Sequence, residues 1–96
     1  MNPATYWEKT MDNEIKKARI VGKALEPVVR IGKNGLTESI LEETIKLLKK
    51  RKVIKVKFLK AFTDEHDRKQ SAMDLAERTN SVVVEQVGGV VLLMRK

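Results

Sequence analysis

The chain has 96 residues, 42% of them hydrophobic and none of them cysteine, and its 20 lysines and arginines against 13 acids give a formal net charge of +7 and a pI near 9.8. One domain with a modest core suits that length, and the composition excludes a disordered or fibrous chain, a disulfide framework and a thiolate metal site. The longest apolar run, Val90 to Met94, is far short of a membrane span, and no apolar signal-peptide segment opens the chain, so a soluble cytoplasmic protein that does not engage membranes is expected. The basic excess points to a polyanionic partner.

Residues 1–11 read as an arm, carrying Pro3, Tyr6 and Trp7 without periodicity, ahead of a single domain at residues 12–96. From Asp12 to Leu25 the positions Ile15, Ala18, Val21, Gly22 and Leu25 recur at helical spacing, and Pro27 halts the helix. A short β-branched strand, Val28 to Ile31, then runs into Gly32-Lys33-Asn34-Gly35. Thr37 is placed to cap a second helix whose inner face is Leu41, Thr44, Ile45 and Leu48, and which ends in Lys49-Lys50-Arg51-Lys52. Cations suit that end, because a helix C-terminus carries partial negative charge.

Val53 to Leu59 alternates Ile54, Val56 and Phe58 with Lys55 and Lys57, a strand with one basic face. Asp64 to Asp67 is expected to open a third helix with Ala72, Leu75, Ala76 and Thr79 inward and Asn80 at its close. Ser81 to Val87 and Val90 to Arg95 form a hairpin about Gly88-Gly89. Both its faces are apolar, so the sheet should be covered on both sides, by the first helix on one and by the second and third on the other.

A strand, a glycine clamp and a helix start are the parts of a phosphate-binding turn: glycine lets a polyanion come close to the backbone, and the helix's first N–H groups favour negative charge. The expected contacts are the backbone amides of Gly32, Lys33, Asn34, Gly35 and Leu36 and the Lys33 ammonium. Ligands of strand–helix–strand units gather beyond the strands' carboxyl ends, which adds Lys60, Arg68 and Lys69. Lys16, Lys17 and Arg19 join them if the first helix runs antiparallel to the strand it feeds. Between Lys46 and Lys60 stand eight basic residues (46, 49, 50, 51, 52, 55, 57, 60) and no acid. The Lys49, Lys50, Arg51, Lys52 cluster is a secondary site at the far end of the second helix, and Lys55 and Lys57 offer a track between the two ends.

The segment Leu25-x-Pro27-Val28-Val29-x-Ile31-Gly32-Lys33-Asn34-Gly35-Leu36-Thr37, followed by Ile54-Lys55-Val56-Lys57 and by Gly88 with its apolar strand, resembles the YhbY-like family, also called the CRM (chloroplast RNA splicing and ribosome maturation) domain. The likeness runs from about Asp12 to Lys96. It implies an α+β fold in which an N-terminal helix precedes a β-α-β-α-β-β unit, with a mixed four-stranded sheet like the C-terminal domain of bacterial translation initiation factor three. It also implies RNA binding without catalysis, through a GxxG loop that maps onto Gly32, Lys33, Asn34 and Gly35. Stand-alone relatives are linked to precursors of the large ribosomal subunit, and plant relatives to group II intron splicing. The chain departs from the family pattern in its aromatic-bearing arm and in Asp12, Glu14 and Glu26, which dilute the basic surface of the first helix.

The expectation is therefore a monomeric, cofactor-free ribosome-assembly factor that binds structured rRNA and takes no small-molecule substrate. An Alba-like chromatin protein, which also has a Gly-Lys turn before a helix, ranks second, because Gly88-Gly89 allows only a short turn where Alba proteins extend a long arm. An enzyme would have to be built on His66 and its neighbours Asp64, Glu65 and Asp67, which lack the separated ligands a metal needs. A protein-partner or base-stacking module would rest on Tyr6, Trp7 and Phe62, for which a place in the core is the plainer reading.

Overall fold

The computed structural model describes residues 6–96, with side chains described from Asp12 onward. The elements in chain order are α1 (Tyr6–Gly22), β1 (Pro27–Ile31), α2 (Glu38–Lys50), β2 (Val53–Phe58), α3 (Lys60–Thr63), α4 (Arg68–Arg78), β3 (Ser81–Val87) and β4 (Val90–Arg95). They build one four-stranded sheet in the order β1-β2-β4-β3, with β1 and β2 parallel and the other two pairings antiparallel. This is the expected α+β class with one additional turn of helix. No described helix is long and apolar enough to cross a membrane.

Alternation along each strand sorts the core into two layers. Val29, Ile31, Ile54, Val56, Phe58, Val91 and Leu93 face Leu48 of α2, Phe62 of α3 and Ala72, Leu75 and Ala76 of α4. On the opposite face Ala18 of α1 packs with Val84, Leu92 and Met94, flanked by Ile15, Leu25 and Val53. The sheet is thus covered on both sides, by the helices expected on each. Helix α1 comes close at Gly22, where a Cβ would overlap the Leu92 side chain.

Two helix ends follow the capping rules. The Thr37 hydroxyl accepts the Ile40 N–H at 3.2 Å, and the Asp67 carboxylate accepts the Gln70 N–H at 2.8 Å. At the end of α4 the buried Thr79 hydroxyl donates to the Leu75 carbonyl at 2.7 Å and lies 2.8 Å from the Ser81 hydroxyl, while Asn80 turns the chain with φ +53°.

Three expectations need correction. Helix α1 starts at Tyr6, so residues 6–11, assigned to the arm, are helical; the side chains of Tyr6 and Trp7 lie outside the described residues. Asp64 to His66 do not open the third helix: Lys60–Thr63 forms a one-turn α3, and Asp67 is the cap of α4, whose first turn holds no acid. Strict alternation would set Val83 and Val87 on one face of β3, but a β-bulge between Val83 and Glu85 reverses it, so Val83 joins the α2/α4 layer while Val87, opposite Val90, points to the α1 side and stays exposed.

Candidate nucleic-acid interface

The glycine loop leaves β1 at the edge of the sheet where β2 also ends, and the Leu59 N–H ties the two ends together by donating to the Ile31 carbonyl at 2.8 Å. The Gly35 N–H closes the loop on the Gly32 carbonyl at 3.0 Å, and the Thr37 N–H donates to the Gly35 carbonyl at 3.0 Å. Gly35 adopts φ +72°, the left-handed region that L side chains resist, whereas Gly32 does not. A Cβ at Gly32 would rest 3.6 Å from Leu59, and one at Gly35 would rest 3.5 Å from the Phe62 ring, so these two side chains form the floor of the loop. The amides of Lys33, Asn34 and Leu36 have no backbone acceptor among the described hydrogen bonds. Gly35 is removed from the expected set of phosphate-binding amides, because its N–H holds the turn shut.

Arg30, Gly32, Lys33, Asn34, Gly35, Thr37, Ser39 and Ile40 line a shallow hollow around this loop. Arg30 lines this hollow without having been expected there. Its neighbours Val29 and Ile31 are buried in the α2/α4 layer, so Arg30 projects to the α1 side, where it pairs across the strands with exposed Lys57. A cation at the outward position of the strand entering a glycine clamp is the signal that would have found it.

Lys55 is half-buried and lines a groove with Gly22, Lys23, Glu85 and Val87, on the same face of β2 as Lys57. Lys60 starts α3 at the loop's edge of the sheet and pairs with Asp64 at 3.1 Å, both side chains largely in water, an arrangement worth little to stability. Arg68 and Lys69 reach the same edge on the hairpin side, flanking Gln86 and Gly88, and the Gln86 amide donates to the Arg68 carbonyl at 2.9 Å. With β1 and β3 at opposite sides of the sheet, that is about 14 Å from the loop at the usual strand spacing.

The remaining cations lie elsewhere. Lys17 borders Lys52, Val53 and Met94 at the opposite edge, and the Arg19 guanidinium donates to the Val84 carbonyl at 3.4 Å on the β3 side. Lys16 sits on the same stretch of α1, exposed. Helix α1 therefore does not bring Lys16, Lys17 and Arg19 to the glycine loop, because its residues around Glu14 lie over the start of β2, not its end: the Glu14 carboxylate accepts from Lys52 at 2.8 Å. Lys49, Lys50, Arg51 and Lys52 do stand at the far end of α2, as expected.

Phe62 is buried at 2% exposure, so it supports the loop and offers no stacking platform. His66 lies flat on the Phe62 ring, centroids 4.2 Å apart and planes 4° from parallel, with Nδ1 3.0 Å from the Phe62 carbonyl. No three His, Asp or Glu side chains among the described residues are grouped to hold a metal.

Comparison with known proteins agrees with this architecture. Residues 11–95 match the model of the CRS1 / YhbY (CRM) domain. A Pseudomonas aeruginosa protein named "probable RNA-binding protein" is 33% identical over 81 residues, covering 84% of this chain and 76% of the relative. A Methanocaldococcus jannaschii protein of the same description is 42% identical over 71 residues, 74% of this chain but 52% of the relative, and a Haemophilus influenzae RNA-binding protein is 35% identical over 71 residues, 74% and 70%. A solution structure from Staphylococcus aureus, presented as that of a hypothetical protein and RNA-binding candidate, superposes with a TM-score of 0.72 at 26% identity, over 88% of this chain and 85% of that one. The chain belongs to the CRS1/YhbY (CRM) domain family.

Proposed function

We propose that the protein binds structured RNA without catalysing a reaction, as a cytoplasmic, monomeric assembly factor on precursors of the large ribosomal subunit. RNA binding has the broadest support, since the relatives at 33–42% identity are named as RNA-binding proteins. The observation that carries the mechanism is the hollow lined by Arg30, Lys33 and Asn34, where the amides of Lys33 and Asn34 have no backbone acceptor among the described hydrogen bonds. A phosphate there meets donors and charge together, on a loop whose floor of Leu59 and Phe62 fixes its shape before binding. Lys57 and Lys60 extend the grip to neighbouring phosphates, and recognition is by shape and backbone, as suits A-form RNA.

Titration of a labelled large-subunit rRNA fragment and of duplex DNA of equal length, at one moderate salt concentration, tests this reading. Tighter binding to RNA is expected, and tighter binding to DNA would overturn it in favour of an Alba-like role. Co-sedimentation of the protein with large-subunit precursors, against mature subunits as the control, tests the assembly role; equal recovery in every ribosomal fraction would remove it.

A further inference from the structure

The edge of the sheet opposite the glycine loop is also strongly basic. Helix α2 ends there with Lys49, Lys50 and the capping residue Arg51, β2 begins after Lys52, and β4 ends with Arg95, followed by Lys96. Helix-end electrostatics is the ordinary explanation for such a cluster. Here another residue does that work: the Arg95 guanidinium donates to the Lys49 carbonyl at 3.0 Å and to the Leu48 carbonyl at 3.5 Å, and the Arg51 N–H donates to the Leu47 carbonyl at 2.8 Å. Lys52 is engaged with Glu14. Lys49, Lys50, Arg51 and Lys96 remain exposed and, among the described residues, form no ion pair, although their mutual repulsion opposes folding.

The cluster also has shape. A groove between the ends of α2, α4 and β4 is flanked by Lys49, Arg95 and Lys96, and its apolar residues Ile45 and Leu48 are recessed, so nothing protrudes that would enter a lipid surface. Along the outer face of α2 the exposed acids Glu38, Glu42 and Glu43 separate this groove from the glycine loop. A polyanion on one edge is therefore not led over that helix to the other.

We propose that this edge is a second phosphate-binding surface for a separate RNA segment, so that one protein molecule holds two RNA segments roughly 20 Å apart, the length of α2 at 1.5 Å rise per residue. The inference rests on the RNA reading of the glycine loop and adds a bridging activity to it. Binding two segments at once raises the effective concentration of each for the other, which is a means of bringing distant parts of a folding RNA together.

Two short RNA hairpins, one with a donor dye and one with an acceptor, are mixed with the full chain, and energy transfer is read together with the mass of the complex. The native protein is expected to give transfer in a complex of one protein and two hairpins. Lys49→Ala/Lys50→Ala/Arg51→Ala is expected to reduce transfer about tenfold, to change affinity for a single hairpin by less than about threefold, and to lower the salt slope of the doubly bound state by about 2 to 3. Arg30→Ala/Lys33→Ala is expected to weaken single-hairpin binding strongly. Native complexes of one protein and one hairpin without transfer would overturn the bridging inference while leaving the loop site standing. So would a triple variant that loses single-hairpin affinity as much as the loop variant does, since both edges would then serve one continuous track. Unchanged transfer by the triple variant, with lost binding to phosphatidylserine vesicles, would reassign the edge to membranes. No binding of either hairpin by the native protein would remove the RNA reading itself.

Discussion

Gly35→Asp, measured against Gly35→Asn, isolates the charge of the glycine loop from its shape. A Cβ at position 35 has room, since it would stand 3.5 Å from the Phe62 ring, an ordinary contact. The strain lies in the backbone at φ +72°, where a non-glycine residue costs about 1–2 kcal/mol and Asn and Asp adapt best. Loss of glycine's freedom in the unfolded chain offsets about 0.4–1 kcal/mol of that. Net destabilisation of about 1 kcal/mol lowers the melting temperature by roughly 4–8 °C in a domain of this size, equally for both variants. Binding separates them: a carboxylate about 6 Å from a seated phosphate repels it by on the order of 1–3 kcal/mol at the effective dielectric of a protein surface. The aspartate variant should therefore bind structured RNA about 5- to 150-fold more weakly than the asparagine variant. Fluorescence anisotropy on a labelled rRNA hairpin, beside circular-dichroism melts, reads both quantities. Equal affinities for the two variants would place the phosphate elsewhere and refute the loop as a contact.

Gly32→Ala should leave stability unchanged or raised by up to about 1 kcal/mol in thermal melts, because position 32 has no positive φ and a Cβ there meets only Leu59 at 3.6 Å. Gly22→Ala should destabilise by about 1–3 kcal/mol, since the added methyl pushes Leu92 from under α1, and chemical denaturation would show it as a lower midpoint at constant m. Arg30→Ala should weaken RNA binding and flatten its salt dependence by about one phosphate's worth, 0.7 to 0.9 in the log–log slope, which a salt titration measures directly.

Strands and helices with strong periodicity are legible in the sequence itself. The alternation of Ile54, Val56 and Phe58 against lysines defined β2, and Thr37 announced α2, because these signals act within a few residues of one another. Other features depend on distant contacts. The bulge at β3 follows from matching the strand to β4 and α1 and leaves no mark in the valine run itself. The acids Asp64, Glu65 and Asp67 look like one helix start, yet the burial of Phe62 accompanies a separate turn before it, leaving only Asp67 to cap α4. In the site, the glycine clamp was legible from its flanking strand and cap, whereas the grouping of cations around it required the path of α1. Lys16, Lys17 and Arg19 fall away from the loop for that reason, and Arg30 gives no signal by itself because a lone arginine in a strand is usually just solvated.

The pairing of Arg30 with Lys57 sets two cationic residues opposite each other on adjacent parallel strands, where their like charges repel. The protein thus carries a built-in repulsion on this face, which a phosphate seated at the proposed loop site would relieve. On the proposed RNA reading, folding and recognition would be coupled at this spot: a phosphate that neutralises the pair would also tighten the junction of β1 and β2 beside the glycine loop.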